Sequence, residues 1–229
     1  MPRMQILTPE EYTTFETPPT LTNIQRQRFF DLSPSLVNLL TTFRTPTNRI
    51  GCVLTLGYFK ATQRFFARQF YPIDADYVAR QLGFLPGVFD LSTYDEGTAR
   101  RHRKAILSHL GFQPFSSNAK QHLQKEIRPM VYSQARPKAI LFHAFDILAR
   151  RKTEIPRART LTDLILGEIG RHKAALTSVI DTQVSPELRE FFEALLEKAS
   201  TQASPVPQIQ RFRLTLIKKI SQSTRPKKI

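Results

Sequence analysis

Arg44-Thr-Pro-Thr-Asn-Arg-Ile-Gly-Cys-Val-Leu-Thr-Leu-Gly-Tyr-Phe-Lys60 is the stretch on which the fold turns. Pro46 and Asn48 supply a turn and a helix start. At 3.6 residues per turn, Ile50, Val53, Leu54, Gly57 and Ala61 form one apolar stripe. Cys52, Leu56 and Phe59 make the opposite side apolar as well. A helix greasy all round is a buried one, so this segment reads as the central helix of an N-terminal domain. A buried strand is the competing reading, because short apolar runs with glycine at both ends are ambiguous by period. Gly51 and Gly57 weaken a helix but let a neighbouring element come close. Arg44, Arg49 and Lys60 bracket the apolar segment, and such charges must reach water, a counter-charge or a ligand.

Around this helix lies a chain of 229 residues with 34 Lys and Arg against 19 Asp and Glu, a formal charge of +15. That excess, with a pI near 10.4, points to a polyanionic partner, most often nucleic acid. Ribosomal or membrane-surface association would give the same bulk number. One cysteine, Cys52, excludes an internal disulfide and suggests a reducing compartment. No apolar run is long enough to span a bilayer, and the N-terminus lacks the core of a signal peptide. The expectation is a soluble, cytoplasmic protein.

Helix signals punctuate the whole chain. Thr8-Pro-Glu-Glu11 reads as an N-cap, a first-turn proline and a capping-box glutamate. Pro18-Pro19 ends that helix, and Thr22 with Gln25 starts another through Phe30. Ser33-Pro34 opens a third, with Leu36, Leu39, Leu40 and Phe43 as its apolar stripe. The continuation of the central helix carries Arg64, Phe65, Phe66, Arg68 and Phe70, either a platform for bases or a core edge with solvated arginines. Asp74 to Leu82 follows, closed by Gly83, and Pro86-Gly87 makes a loop. Helices are expected at Thr98 to Leu110, at Ser117 to Tyr132 with an interruption at Pro129, and from Pro137 to a finish in Arg150-Arg-Lys152. Ile140, Leu141, Ala144, Phe145 and Leu148 stripe the last of these. Another runs from Leu161 to Ile180 behind a Thr160 cap. The final one spans Glu187 to Ala199, with Leu188, Phe191, Phe192, Leu195 and Leu196 facing a core. No segment alternates with period two. The expected fold is all-α: two small helical modules of the helix-turn-helix kind, 1–115 and 116–199, then a linker and basic tail, 200–229.

The helix at Thr98 to Leu110 carries the most informative surface. Ala99, Ile106 and Leu110 share one side, while Arg100, Arg101, Lys104 and Ser108 occupy the other. Arg103 falls on the apolar side, with His102 near its margin, and must be paired or snorkel to water. Four cations in five positions suggest phosphate contact, against the alternative of a solvated face. Arg150, Arg151 and Lys152 suit either DNA or the negative end of a helix. Lys138, Arg157 and Arg159 join the candidate contacts, as do Lys218 and Lys219 of the tail, where no acid follows Glu197.

The constellations of enzymes are missing. The five histidines, His102, His109, His122, His143 and His172, have no Cys or acidic partners at metal-ligand spacing and no Arg three residues on. There is no phosphate-binding glycine loop, and the acids mostly sit at helix starts, where capping explains them. A binding module with no catalytic residue, metal or cofactor is expected.

Several ordered segments carry a family resemblance: 44–51 with 56–60, Tyr94-Asp-Glu-Gly-Thr98, Arg101-His-Arg103, Gly111-Phe-Gln-Pro-Phe115, Pro137-Lys138 and Arg151-Lys-Thr-Glu-Ile-Pro156. Phe212-Arg-Leu-Thr-Leu216 and Ser221-Gln-Ser-Thr-Arg-Pro226 extend it almost to the end. Together they resemble the N-terminal region of transposases of the Tn-three family, the large enzymes of replicative transposons. Cys52 and Thr55 depart from the pattern, where an aromatic residue and Gln are expected. The resemblance implies a helical region that recognises terminal inverted repeats. It also implies that the family's DDE catalytic domain lies beyond this sequence, so no catalytic acid carries over. The expected partner is double-stranded DNA at transposon ends, with full-length transposase or self-association as further partners. A protein-interaction fragment and an inactive remnant are the rival readings.

Overall fold

The computed structural model describes residues 4–85 and 88–201, with side chains followed to residue 194. The Pro86-Gly87 loop and the 202–229 tail, including Lys218 and Lys219, lie outside the described residues. Among the described residues, ten α-helices follow in order: α1 (Pro9–Glu16), α2 (Asn23–Phe29), α3 (Pro34–Thr41), α4 (Pro46–Thr62), α5 (Pro72–Gln81), α6 (Glu96–Leu110), α7 (Ser117–Tyr132), α8 (Pro137–Arg150), α9 (Ala158–Gln183) and α10 (Pro186–Thr201). Among the described residues there is no strand, only an isolated bridge between Gln113 and Thr153. The fold is all-α. None of the described helices is long and apolar enough to cross a membrane. The chain divides into two compact units, Met1–Ala175 and Leu176–Ile229, with the boundary inside α9.

Local chemistry starts these helices where expected. Thr8 and Glu11 close a capping box on α1, as do Thr22 and Gln25 on α2. Ser33 and Thr45 accept from the third amide of α3 and α4, each with proline in the first turn. The strand reading of 44–60 is overturned. Residues Thr47, Ile50 to Leu54 and Leu56 to Phe59 of α4 are buried, so the helix has no solvent face along most of its length. Helices α2, α3, α5 and α6 surround it, forming the first hydrophobic cluster of the first unit. Within it, Gly51 lets the Tyr94 ring approach α4 and Gly57 admits the Phe30 ring.

A second cluster in the same unit gathers α7, α8 and the start of α9, where Ile127, Ile140, Ala144, Leu161 and Ile165 are buried. Ile6, Leu7, Tyr12 and Phe15 pack there too, so the N-terminus belongs with residues far along the chain. Main-chain bonds tie the two clusters: Ile155 N–H to Gln63 C=O at 2.9 Å, and Glu154 N–H to Gln113 C=O at 3.0 Å.

Several expectations are corrected. Helix α4 does not continue through Phe70. It stops at Thr62, where Gln63 takes the left-handed conformation (φ 56°). Arg64 there donates to Phe15 C=O at 2.6 Å and lies over the Phe15 ring, a core edge and no platform for bases. Helix α7 runs unbroken past Pro129, whose missing N–H falls near its end beside exposed Lys125. Helix α9 starts at Ala158, with Thr160 inside it, because Glu16 Oε1 of α1 accepts from Ala158 N–H at 2.7 Å. A cap borrowed from 142 residues away leaves no local signal. Asp74 caps nothing. It is fully buried, paired with Arg26 Nε at 2.6 Å and the Tyr58 hydroxyl at 2.7 Å. In the second unit, Phe191 and Phe192 of α10 are exposed, not packed in a core. The side chains of Leu195 and Leu196 lie outside the described ones.

Candidate nucleic-acid interface

Helix α6 is set by its ends. Asp95 caps the Thr98 N–H, and these bonds hold its carboxyl below the usual carboxylate range. Gly111 closes the helix at φ 68°. Ile106 and Leu107 anchor the inner face, and Arg100, Arg101, Lys104 and Ser108 are exposed on the outer one. Arg100 meets Glu96 at 3.3 Å in a well-solvated i,i+4 pair, the kind of contact that contributes little. Arg101 donates to Thr98 Oγ1 at 2.9 Å. Lys104 has no ion pair among the described residues.

His102 is drawn inward, and Arg103, itself exposed, is tied to a buried acid. The Arg103 guanidinium pairs with both carboxylate oxygens of Glu154, itself 1% exposed, and Glu154 also accepts from Phe115 N–H at 2.7 Å. Arg103 therefore pins α6 to the connector before α9 and is a structural cation. His102 is fully buried, sharing a 2.8 Å hydrogen bond with the Tyr94 hydroxyl and packing on Phe43. Burial, with Arg101 nearby, lowers its pKa to about 4.

Beside α6 lies a cleft of about 210 Å³ whose lining includes Thr55, Ala99, Arg100, Arg103, Glu154 and Arg157. The structure thus unites Arg100 and Arg157, 57 positions apart in the sequence, on one concave surface, with Arg103 in its wall. A shallower groove shared by Arg100, Arg103 and Lys104 continues along α6 toward Pro114.

The other candidates are placed elsewhere or held by other groups. Arg44 is exposed in the turn before α4, while Arg49 donates to Phe43 C=O at 2.9 Å. Lys60 is half-buried, and that burial lowers its pKa against the pull of Asp31. Lys138 pairs with Glu11 of α1. Arg150 bonds back to Asp146 C=O at 3.3 Å, Arg151 is exposed, and Lys152 sits at φ 47° where the chain leaves α8. Arg159 reaches Asp163 at 3.7 Å on the exposed face of α9. Glu96 and Glu154, which shape the cleft, were not read from the sequence. The need of Arg103 for a partner was legible, but an acid 51 positions away was not. Cys52 is buried, its thiol pushed up to about 12. Among the described residues, no group of three or more His, Cys, Asp or Glu is placed to hold a metal ion.

The family model described as Domain of unknown function (DUF4158) matches residues 6–167. The chain belongs to that family. No curated protein matches it. The DUF4158 match takes in both hydrophobic clusters, helix α6 and the Arg100–Arg157 cleft, and it ends within α9 before the second unit begins.

Proposed function

We propose that this DUF4158 chain binds double-stranded DNA at the terminal inverted repeats of a replicative transposon, as the N-terminal part of a Tn-three family transposase. The observation that carries the reading is the outer face of α6, where Arg100, Arg101 and Lys104 stand exposed together on a helix whose inner face is locked into the core. A rigid row of cations suits the regular phosphate spacing of a duplex, and such contacts position a protein on DNA. Support also comes from the ordered sequence resemblance and from DUF4158 being a domain commonly found in those transposases. Helix α4 is too deeply buried to enter a groove, so sequence readout falls to exposed polar side chains elsewhere. No catalytic role is assigned to any residue, and no metal or cofactor enters the reading.

Band-shift titration of the full chain on an inverted-repeat duplex and on a scrambled one tests this. Tighter binding to the repeat is expected, and equal affinity at moderate salt removes the specificity. Replacing Arg100, Arg101 and Lys104 with Ala should weaken binding to both duplexes and flatten the salt dependence by about one unit per lost phosphate contact. An unchanged slope clears the α6 face of a role.

A second reading rests on the second unit, where Leu176, Val179, Ile180, Phe191 and Phe192 are exposed. Such apolar surface favours a protein partner, full-length transposase among the candidates. A pull-down with nuclease treatment separates the two, since an association bridged by DNA disappears.

A further inference from the structure

Resting on the duplex-binding reading, we propose that the cleft between α6 and residues 154–157 is a phosphate site in which Arg100 and Arg157 together hold one phosphate of the DNA backbone. Arg100 and Arg157 line the same small cleft, and two arginines sharing one tetrahedral anion is an arrangement that the planar guanidinium fork serves well. The acidic groups of the cleft do not block this role. Glu154 is already satisfied by Arg103 and the Phe115 amide. Glu96 touches Arg100 only through an exposed pair, 78% and 82% accessible, which an incoming phosphate replaces.

The aromatic residues at the cleft favour backbone over base. Phe65 is stacked on Phe59 at 4.6 Å with Arg103 at 5.5 Å from its ring. Phe66 is buried against Tyr58 and carries Arg64. Neither ring has a free face on which a base can stack, so single-strand binding of the stacking kind is not built here. The walls are held in place before any ligand arrives. Arg103–Glu154, the Gln113–Thr153 bridge and the Ile155–Gln63 bond fix the connector that carries Arg157 against α6. Arg103 is thus a positioning residue for the site.

The test measures the salt dependence of binding to a short mixed-sequence duplex for the full chain and for Arg100→Ala, Arg157→Ala and the double variant. Thermal melts check folding, and Arg157→Gln stands in where Ala unfolds. Each single change is expected to lower the slope by about one unit, and the double change to lower it by the same single unit, because one phosphate is shared. An unchanged slope in a folded Arg157 variant overturns the site, as does a drop of about two units in the double variant. A parallel titration uses inorganic phosphate without DNA. Saturable phosphate uptake lost with Arg157, beside an unaltered duplex slope, would make the cleft a free-phosphate site and overturn the backbone assignment. Absence of salt-dependent duplex binding by the unaltered chain is a different result, and it removes the reading beneath the proposal.

Discussion

Gly57 lies on the side of α4 that faces the Phe30 ring, and a methyl group there would overlap ring carbons well inside van der Waals contact. Two opposing effects meet at this position. Alanine in place of glycine stabilises a helix interior by up to about 1 kcal/mol. Forcing an extra carbon into a packed core costs about 1–3 kcal/mol. Phe30 is fully buried against Tyr58 and Tyr77 and has nowhere to move. Gly57→Ala is therefore expected to destabilise the protein by roughly 1–2 kcal/mol, read from urea denaturation. A stabilised variant would mean that the close approach of Phe30 to α4 is wrong. The rings around Gly51 and Gly57 also show why a glycine that looks like a helix weakness becomes a packing site once its neighbour is known.

One ion pair joins a side chain of helix α6 to the connector before α9, and the two partners differ in exposure. Glu154 is deeply buried, whereas the Arg103 side chain is 49% accessible. Removing the arginine leaves a buried carboxylate with only the Phe115 amide, an uncompensated buried charge that destabilises the fold, though less than in a pair buried on both sides. Removing the charge of the acid lets Arg103 turn to water and keeps an acceptor for that amide. Arg103→Ala is expected to lower the melting temperature more than Glu154→Gln, while Arg101→Ala leaves it nearly unchanged. Equal melting for the Arg103 and Arg101 variants would show that the strut carries no load. The comparison also separates the structural cations of α6 from those available to phosphate.

For the molecule as a whole, buried His102 links stability to pH. The unfolded chain takes up its proton near the ordinary value of 6.5, whereas the folded protein does so only at about 4. Between those values the unfolded state binds more protons, so stability falls as pH drops and returns as pH rises. The full effect is on the order of 3 kcal/mol. The net charge of +15 acts in the same direction through self-repulsion as carboxylates neutralise. Urea midpoints followed from neutral pH down to about 4 should fall more steeply for the unaltered chain than for His102→Gln. Identical slopes would show that His102 is not held neutral in the core.

Helix positions were legible because their causes are local. Thr8, Thr22, Ser33 and Thr45 each bond an amide three residues on, and the apolar run of α4 has no polar side to offer water. The outer cations of α6 followed from the same angular arithmetic, since a helix places residues on a face by spacing alone. Pairings over long sequence separations were not legible. Glu16 caps α9, Asp74 pairs with Arg26 from another helix, and Glu154 pairs with Arg103. A free cation and a paired one look alike in sequence, because only the folded chain determines which carboxylate comes within hydrogen-bonding distance.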